Sequence, residues 1–266
     1  MVKYFAISDI HGFYAEMKRA LRAAGYQKSN PNHVLIVCGD IFDRGPDSVR
    51  VYKYLRSIPK QRRVLIRGNH EYLLRDAVAR GHCLQHDITN GTYDTICQFL
   101  EYFYPGVDIS SFGAPMGSFR NLGVLQWIFG PEWVNYFELG SYIFVHGWIP
   151  VTPVRLGGYW DTSMGDFDPD WRDASQSEWE TASWSCPWAL YKRHILPPGQ
   201  TIVCGHWHAA DFRKHIDGLL SSECTNELYL NEQIVGLDGC TARSGFCNVW
   251  TVEVLDQNKE DTVSTT

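Results

Sequence analysis

Asp9, His11, Asp40, Asn69, His146, His206 and His208 have side chains that bind divalent cations, and each stands where a short apolar run ends. The clearest instance is Gly39-Asp-Ile-Phe-Asp-Arg-Gly45, which directly follows Val34-Leu-Ile-Val-Cys38. A buried strand that ends on Asp40, with Asp43 and Arg44 close behind, sets charges at a core edge, where leaving them unpaired is costly. The same pattern recurs where Tyr4-Phe-Ala-Ile-Ser8 meets Asp9-Ile-His11, Arg63-Val-Leu-Ile66 meets Arg67-Gly-Asn-His-Glu71, Tyr142-Ile-Phe-Val145 meets His146-Gly147, and Thr201-Ile-Val-Cys204 meets Gly205-His-Trp-His208. Carboxylates mixed with imidazoles and an amide oxygen suit Mn, Fe or Zn rather than Ca, and the absence of Cys from these motifs argues against a structural zinc. The candidates are too many for one ion. Two cations roughly 3.5–4 Å apart, sharing one carboxylate, would use them all and form a clamp for in-line displacement at phosphorus.

Residues 1–80 supply the elements that must carry these groups. Strands are expected at 2–8, 33–38 and 62–67 and helices at about 13–24, 46–57 and 70–80, an alternation that implies βαβ units and a parallel sheet in an α/β protein. Ligands in such sheets collect beyond the carboxyl ends of the strands, where Asp9, Asp40 and Asn69 fall. A helical insertion is expected over about 81–140, with helices near 92–104 and 121–137. After a strand at 141–146 comes a long, weakly periodic stretch, 147–200, containing Trp160, Trp171, Trp179, Trp184 and Trp188. Such loops are expected either to wall a substrate pocket or to form a satellite core. Strands at 201–205, 233–238 and 246–255 imply a second sheet, and residues 256–266 have little to bury and are expected to be a disordered tail.

With 266 residues and 44% hydrophobic content the chain can build one substantial core. No stretch approaches a membrane span, the opening apolar run is cut at Ser8 and Asp9 before it could form a signal sequence, and the eight Cys are scattered with no C-x-x-C pair. A cytoplasmic, reduced protein with no membrane partner is the expectation. The net charge of −6 argues against a partner of duplex nucleic acid but leaves room for a local phosphate ester.

Taken together, Asp9-Ile-His11-Gly12, Gly39-Asp-Ile-Phe-Asp-Arg-Gly45, Arg67-Gly-Asn-His-Glu71, Val145-His146-Gly147 and Gly205-His-Trp-His208 resemble the five blocks of the calcineurin-like metallophosphoesterases. The longer second and third blocks resemble the phosphoprotein phosphatase branch, which includes serine/threonine protein phosphatases and symmetrical diadenosine tetraphosphate hydrolases. The resemblance implies a single domain over residues 1–255, a four-layer α/β/β/α sandwich of two mixed sheets flanked by helices. It implies that Asp9, His11 and Asp40 hold one metal, with His208 added, and that Asp40, Asn69, His146 and His206 hold the other, with Asp40 bridging. Two divalent ions are expected, Mn²⁺ first and Fe or Zn as alternatives. A hydroxide between them would attack phosphorus in line. His70 is the expected general acid, Asp43 its partner, and Arg44 and Asn69 the phosphate-side contacts. A further phosphate-binding cation is expected at Lys192 or, preferably, Arg193.

The leading functional expectation is therefore a dinuclear phosphatase acting on phosphomonoesters, phosphoserine or phosphothreonine in proteins above all. The alternative is a hydrolase of dinucleoside polyphosphates, with aromatic side chains of residues 147–200 stacking on adenine. A metal-binding interaction module without catalysis is the third reading, against which stand His70, Asp43 and Arg44, since holding metal requires none of them.

Overall fold

The computed structural model describes residues 1–109, 115–156 and 159–255; the expected tail, 256–266, lies outside the described residues. In chain order, β1 (Val2–Ile7), α1 (Tyr14–Ala23), β2 (His33–Cys38), α2 (Ser48–Arg56), β3 (Arg63–Ile66) and α3 (Asn69–Arg80) form the expected alternation. Helices α4 (Gln85–Asn90), α5 (Thr92–Phe103), α6 (Pro115–Arg120) and α7 (Val124–Ile128) follow, then the short strands β4 (Trp133–Val134), β5 (Phe137–Leu139) and β6 (Tyr142–Phe144). The hairpin β7 (Val151–Leu156) and β8 (Tyr159–Phe167) precedes α8 (Gln176–Ala182) and α9 (Pro187–Lys192). The chain closes with β9 (Thr201–His208), α10 (Ala209–His215), β10 (Tyr229–Leu230), β11 (Ile234–Asp238), α11 (Thr241–Ser244) and β12 (Trp250–Val254).

Two five-stranded mixed sheets result, ordered β12-β1-β2-β3-β4 and β10-β11-β9-β6-β5. Within the first, β1 to β4 run parallel and β12 antiparallel; within the second, β6, β9 and β11 run parallel, with β5 and β10 antiparallel at the edges. The two-residue period of a strand divides each apolar run between two cores. Ala6, Ile36, Cys38 and Ile66 of the first sheet meet Phe144, Val203, Val235 and Leu237 of the second in a layer between the sheets. Phe5, Ile7, Leu35, Val37 and Leu65 face outward onto Met17, Leu21, Val51, Leu55, Leu74 and Phe99 of the helices. Ile143, Val145, Ile202 and Ile234 face the other way, onto Trp148, Trp171, Trp179, Leu190 and Phe212. This is a four-layer α/β/β/α sandwich, and strands buried on both faces explain why the sequence shows continuous apolar runs.

Three stretches differ from expectation. The strand expected over 246–255 does not join the second sheet: it is β12, which pairs antiparallel with β1 at the edge of the first. The helix expected over 121–137 is only α7, because Gly130 and Pro131 stop it and the next residues pair with neighbouring sheets, Leu65 with Trp133 and Phe137 with Phe144. The stretch 147–200 is not loop: it holds a hairpin and two helices, α8 being started by a capping box of Ser175 and Glu178. Trp148, Trp171 and Trp179 are core residues of the second sheet's outer layer, packed with Ile143, Ile202 and Ile234 of its strands.

Candidate active site

The carboxyl ends of β1, β2, β3 and β6 converge with the far half of β9. The backbone there is strained in one specific way: Asp9, His11, Asp40, Asp43, Arg44 and His206 all have positive φ, between 48° and 70°. Each such residue costs about 1–3 kcal/mol where glycine would be relaxed, and side chains kept there despite that cost mark a functional site. Glycine is instead required where backbones touch. A Cβ on Gly68 would lie 2.2 Å from Asp40 Oδ1, and one on Gly205 would lie 1.8 Å from Ser8 Oγ and 2.2 Å from Asp9 Oδ2. Gly205 also begins a bulge: β9 pairs with β11 at Cys204–Gly236 and again at His208–Asp238, so extra β9 residues are pushed out and His206 is carried toward Asp40.

Two imidazoles are each anchored by one ring nitrogen to a backbone carbonyl: His11 Nδ1 donates to Phe42 O at 2.9 Å and His146 Nδ1 to Cys38 O at 2.8 Å. The remaining nitrogens point at the carboxylates. His11 Nε2 lies 3.9 Å from Asp9 Oδ1 and 3.7 Å from Asp40 Oδ2, while His146 Nε2 lies 3.3 Å from Asp40 Oδ1 and 2.8 Å from Asn69 Oδ1. The ligand atoms of Asp40, His146 and His206 fall within 4.8 Å of one another, and so do those of Asp40, His11 and His70. Asp40 belongs to both groups. Asp9 Oδ2 accepts from Ser8 Oγ and from the His206 amide at 3.0 Å, which leaves Oδ1 facing His11.

This set fits divalent cations. His11 Nε2 is buried and has no hydrogen-bond partner, which is costly for a nitrogen lone pair unless something binds it. Imidazoles locked through Nδ1–H to carbonyls are in the tautomer that ligates through Nε2. The electrostatics agree. Burial, reinforced by neighbouring histidines, drives His11 well below its usual range and His206 down to about 3, so both are neutral and able to ligate. Burial also works against charge on His146, yet Asp40 and Asp9 push it up to about 10, so that a proton supplies the positive charge the carboxylates require. Burial works against ionisation of Asp40, but the imidazoles of His146 and His70 hold it well below the carboxylate range. Burial pushes Asp9 up, against the pull of His146.

Beside the carboxylates stands a second assembly. His70 Nδ1 donates to Asp43 Oδ2 at 2.8 Å; Thr92 Oγ1 donates to the same oxygen and Thr95 Oγ1 to Oδ1, each at 2.8 Å. Asp43 is completely buried, and the exposed Arg44 donates to His70 Nε2 at 3.1 Å. Burial disfavours charge on His70, but Asp40 and the bond to Asp43 raise it above the usual histidine value. The first turn of α5 thus fixes this assembly, so the helices of the expected insertion have a direct place in the site. Glu71 fixes the loops: its carboxylate accepts from the amides of Asp40 (3.0 Å), Ile41 (3.0 Å) and Gly68 (2.6 Å). Burial and the charge of Asp40 raise it to about 7.

Two expected residues are placed elsewhere. His208 is in neither three-residue group; its ring lies 3.5 Å from Asp211 and 3.9 Å from Asp238. Arg193 donates to Gly165 O at 3.0 Å and lies 3.7 Å from Asp166, so its guanidinium is committed to the hairpin β7–β8. Asp238, buried and bonded to the Cys240 amide at 2.7 Å, escaped the sequence reading, although Ile234-Val-Gly-Leu-Asp238 shows the same apolar run ending on a carboxylate. Thr92 and Thr95 carried no local signal at all.

Sandwich and site together define a phosphoesterase of the metal-dependent kind. The chain belongs to the calcineurin-like phosphoesterase family, whose model matches residues 2–210. Among curated proteins it is 41% identical over 68 residues to a symmetrical bis(5'-nucleosyl)-tetraphosphatase of Buchnera aphidicola, covering 26% of this chain and 23% of that protein. It is 37% identical over 76 residues to an asymmetrical bis(5'-nucleosyl)-tetraphosphatase of Oceanobacillus iheyensis, covering 26% and 30%. The matches thus span a quarter to a third of those relatives. Among solved structures, a cold-active protein-tyrosine phosphatase of a psychrophilic Shewanella superposes with a TM-score of 0.51 at 14% identity, over 95% of this chain and 76% of that one, a likeness of fold. Among the described residues, no helix is long and apolar enough to cross a membrane.

Proposed function

We propose that this protein is a metal-dependent hydrolase of dinucleoside polyphosphates such as diadenosine tetraphosphate, using two divalent cations held by Asp9, His11, Asp40, Asn69, His146 and His206. The convergence of these side chains on Asp40 carries the phosphoesterase part of the reading. The substrate part is supported by the tetraphosphatases to which stretches of the chain are similar, and it replaces phosphoproteins as the leading substrate. Bound cations, Mn²⁺ before Fe or Zn, would neutralise phosphate charge and make water a nucleophile near neutral pH.

The chain's own residues do the rest. Arg44, exposed and close to the carboxylates, is placed to fork its donors onto phosphate oxygens. Phosphate would draw the guanidinium away from His70 Nε2, leaving that nitrogen to deliver a proton to the bridging oxygen as its bond to phosphorus breaks and the bond from water forms. Asp43, held by two threonine hydroxyls, keeps Nδ1–H in place and favours the protonated ring. A module that only bound metal would not need this buried assembly. His208 and Arg193 are left as flanking residues, the first oriented by Asp211 and Asp238 and the second a brace for the hairpin. The test is product analysis of diadenosine tetraphosphate incubated with Mn²⁺-loaded protein. Nucleotide products are expected, and an intact dinucleotide beside a hydrolysed phosphoserine peptide would reverse the assignment.

A further inference from the structure

Trp184 is a large apolar side chain left 47% exposed, whereas every other described tryptophan side chain is buried or half-buried. It is not on a remote surface. Its indole meets the ring of His206 edge-on, centroids 6.0 Å apart. From there an aromatic strip continues outward: His206 to Trp207 at 6.3 Å, Trp207 to Trp188 at 5.8 Å, and Trp188 stacked on His215 at 3.9 Å.

The turn that carries Trp184 is held rigidly. It follows α8, whose last carbonyls bond the amides of Ser183 (3.0 Å), Trp184 (3.1 Å) and Ser185 (3.1 Å). Trp148 N also bonds Ala182 O at 3.1 Å, and the backbone at Gly147 passes so close that a Cβ there would lie 2.5 Å from Ala182 O and 2.7 Å from Ser183 O. The turn that presents the indole is therefore braced against the strand end that bears His146. An exposed aromatic face with little freedom to lose on binding suits a flat, apolar ligand.

We propose that the indole of Trp184 is the platform on which a nucleobase of the substrate stacks, setting preference for nucleotides over other phosphate esters. The placement is chemically matched: phosphate charge is met at Arg44 and the carboxylate-bound cations, and the uncharged aromatic part of the substrate is met on the His206 side. A single indole reads a π face and not an edge, so it selects for a base without selecting which base. The proposal rests on the nucleotide-hydrolase reading above, and the test separates the two.

Adenosine 5'-monophosphate and ribose 5-phosphate share phosphate and sugar and differ by the base. Their inhibition constants against hydrolysis of an aryl phosphate are compared in the Mn²⁺-loaded protein and in Trp184→Ala, Trp184→Phe and Trp184→Leu. The wild-type protein is expected to bind the nucleotide roughly 5- to 150-fold more tightly, the range of one base–aromatic stack. That gap should close in Trp184→Ala and Trp184→Leu and largely survive in Trp184→Phe. No gap in the wild-type protein, or a gap that survives in Trp184→Ala, overturns the platform. Equal weakening of both inhibitors in Trp184→Ala also overturns it, because it would mean that the residue serves only to place His206. Failure of the functional reading is a different result: wild-type protein that leaves diadenosine tetraphosphate intact while still preferring the nucleotide inhibitor.

Discussion

Asp43→Asn isolates one charge in the candidate site. The carboxylate is fully buried and accepts from His70 Nδ1 and Thr92 through Oδ2 and from Thr95 through Oδ1. An asparagine of the same shape can keep its carbonyl toward His70 and Thr92 and turn its NH₂ toward Thr95 Oγ1, which already accepts from the amide of residue 43 at 3.0 Å. Geometry is then preserved and the charge on the His70 bond is lost. A hydrogen bond to a charged group is worth about 1.5–3 kcal/mol, so proton delivery should slow roughly 10- to 150-fold. The assay is kcat with Mn²⁺ on an alkyl phosphate, whose alkoxide leaves badly without a proton, beside 4-nitrophenyl phosphate, whose leaving group needs none. The loss should appear on the alkyl ester and be much smaller on the aryl ester, with metal content unchanged. Equal losses on both esters would refute the general-acid argument, since His70 would then be placing phosphate or supporting a metal, as its membership of the group with His11 and Asp40 permits.

Asp40→Asn should lower bound metal by elemental analysis and abolish turnover, because Asp40 is shared by both cation groups; retention of two metals would contradict it. Arg44→Ala should raise KM for phosphate substrates roughly 10- to 100-fold through lost charge-assisted bonds, while Arg193→Ala should leave KM nearly unchanged and instead speed proteolysis of the hairpin near Gly165. Gly205→Ala should lower Tm in calorimetry, because its methyl would have to displace Ser8 Oγ and Asp9 Oδ2 in a close-packed site, a cost of roughly 1–3 kcal/mol; an unchanged Tm would show that β9 can move.

The sequence exposed the parts of this molecule that are local. Apolar runs of strand length that end on Asp, Asn or His reveal both the parallel strands and the side chains at their carboxyl ends, because both signals lie within a few residues. The second sheet is implied by the strands expected at 201–205 and 233–238, whereas the division of each continuous apolar run, Ala6 and Ile36 to one core and Phe5 and Leu35 to another, shows only in the fold. What stayed hidden depends on contacts distant in sequence. Asp43 meets Thr92 and Thr95, 49 and 52 residues away, and Glu71 ties together three amides across two loops. The tryptophans of 147–200 could not be divided by type or spacing into packing and exposed members, and only their positions separate Trp179 in the core from Trp184 beside His206.

The most direct test uses protein stripped with a chelator and reloaded with Mn²⁺, given diadenosine tetraphosphate and a phosphoserine peptide in separate assays. Turnover of the dinucleotide is expected to vanish without metal and return with it, at a kcat/KM well above that for the peptide. Metal-independent turnover would contradict the site, and a preference for the peptide would contradict the substrate.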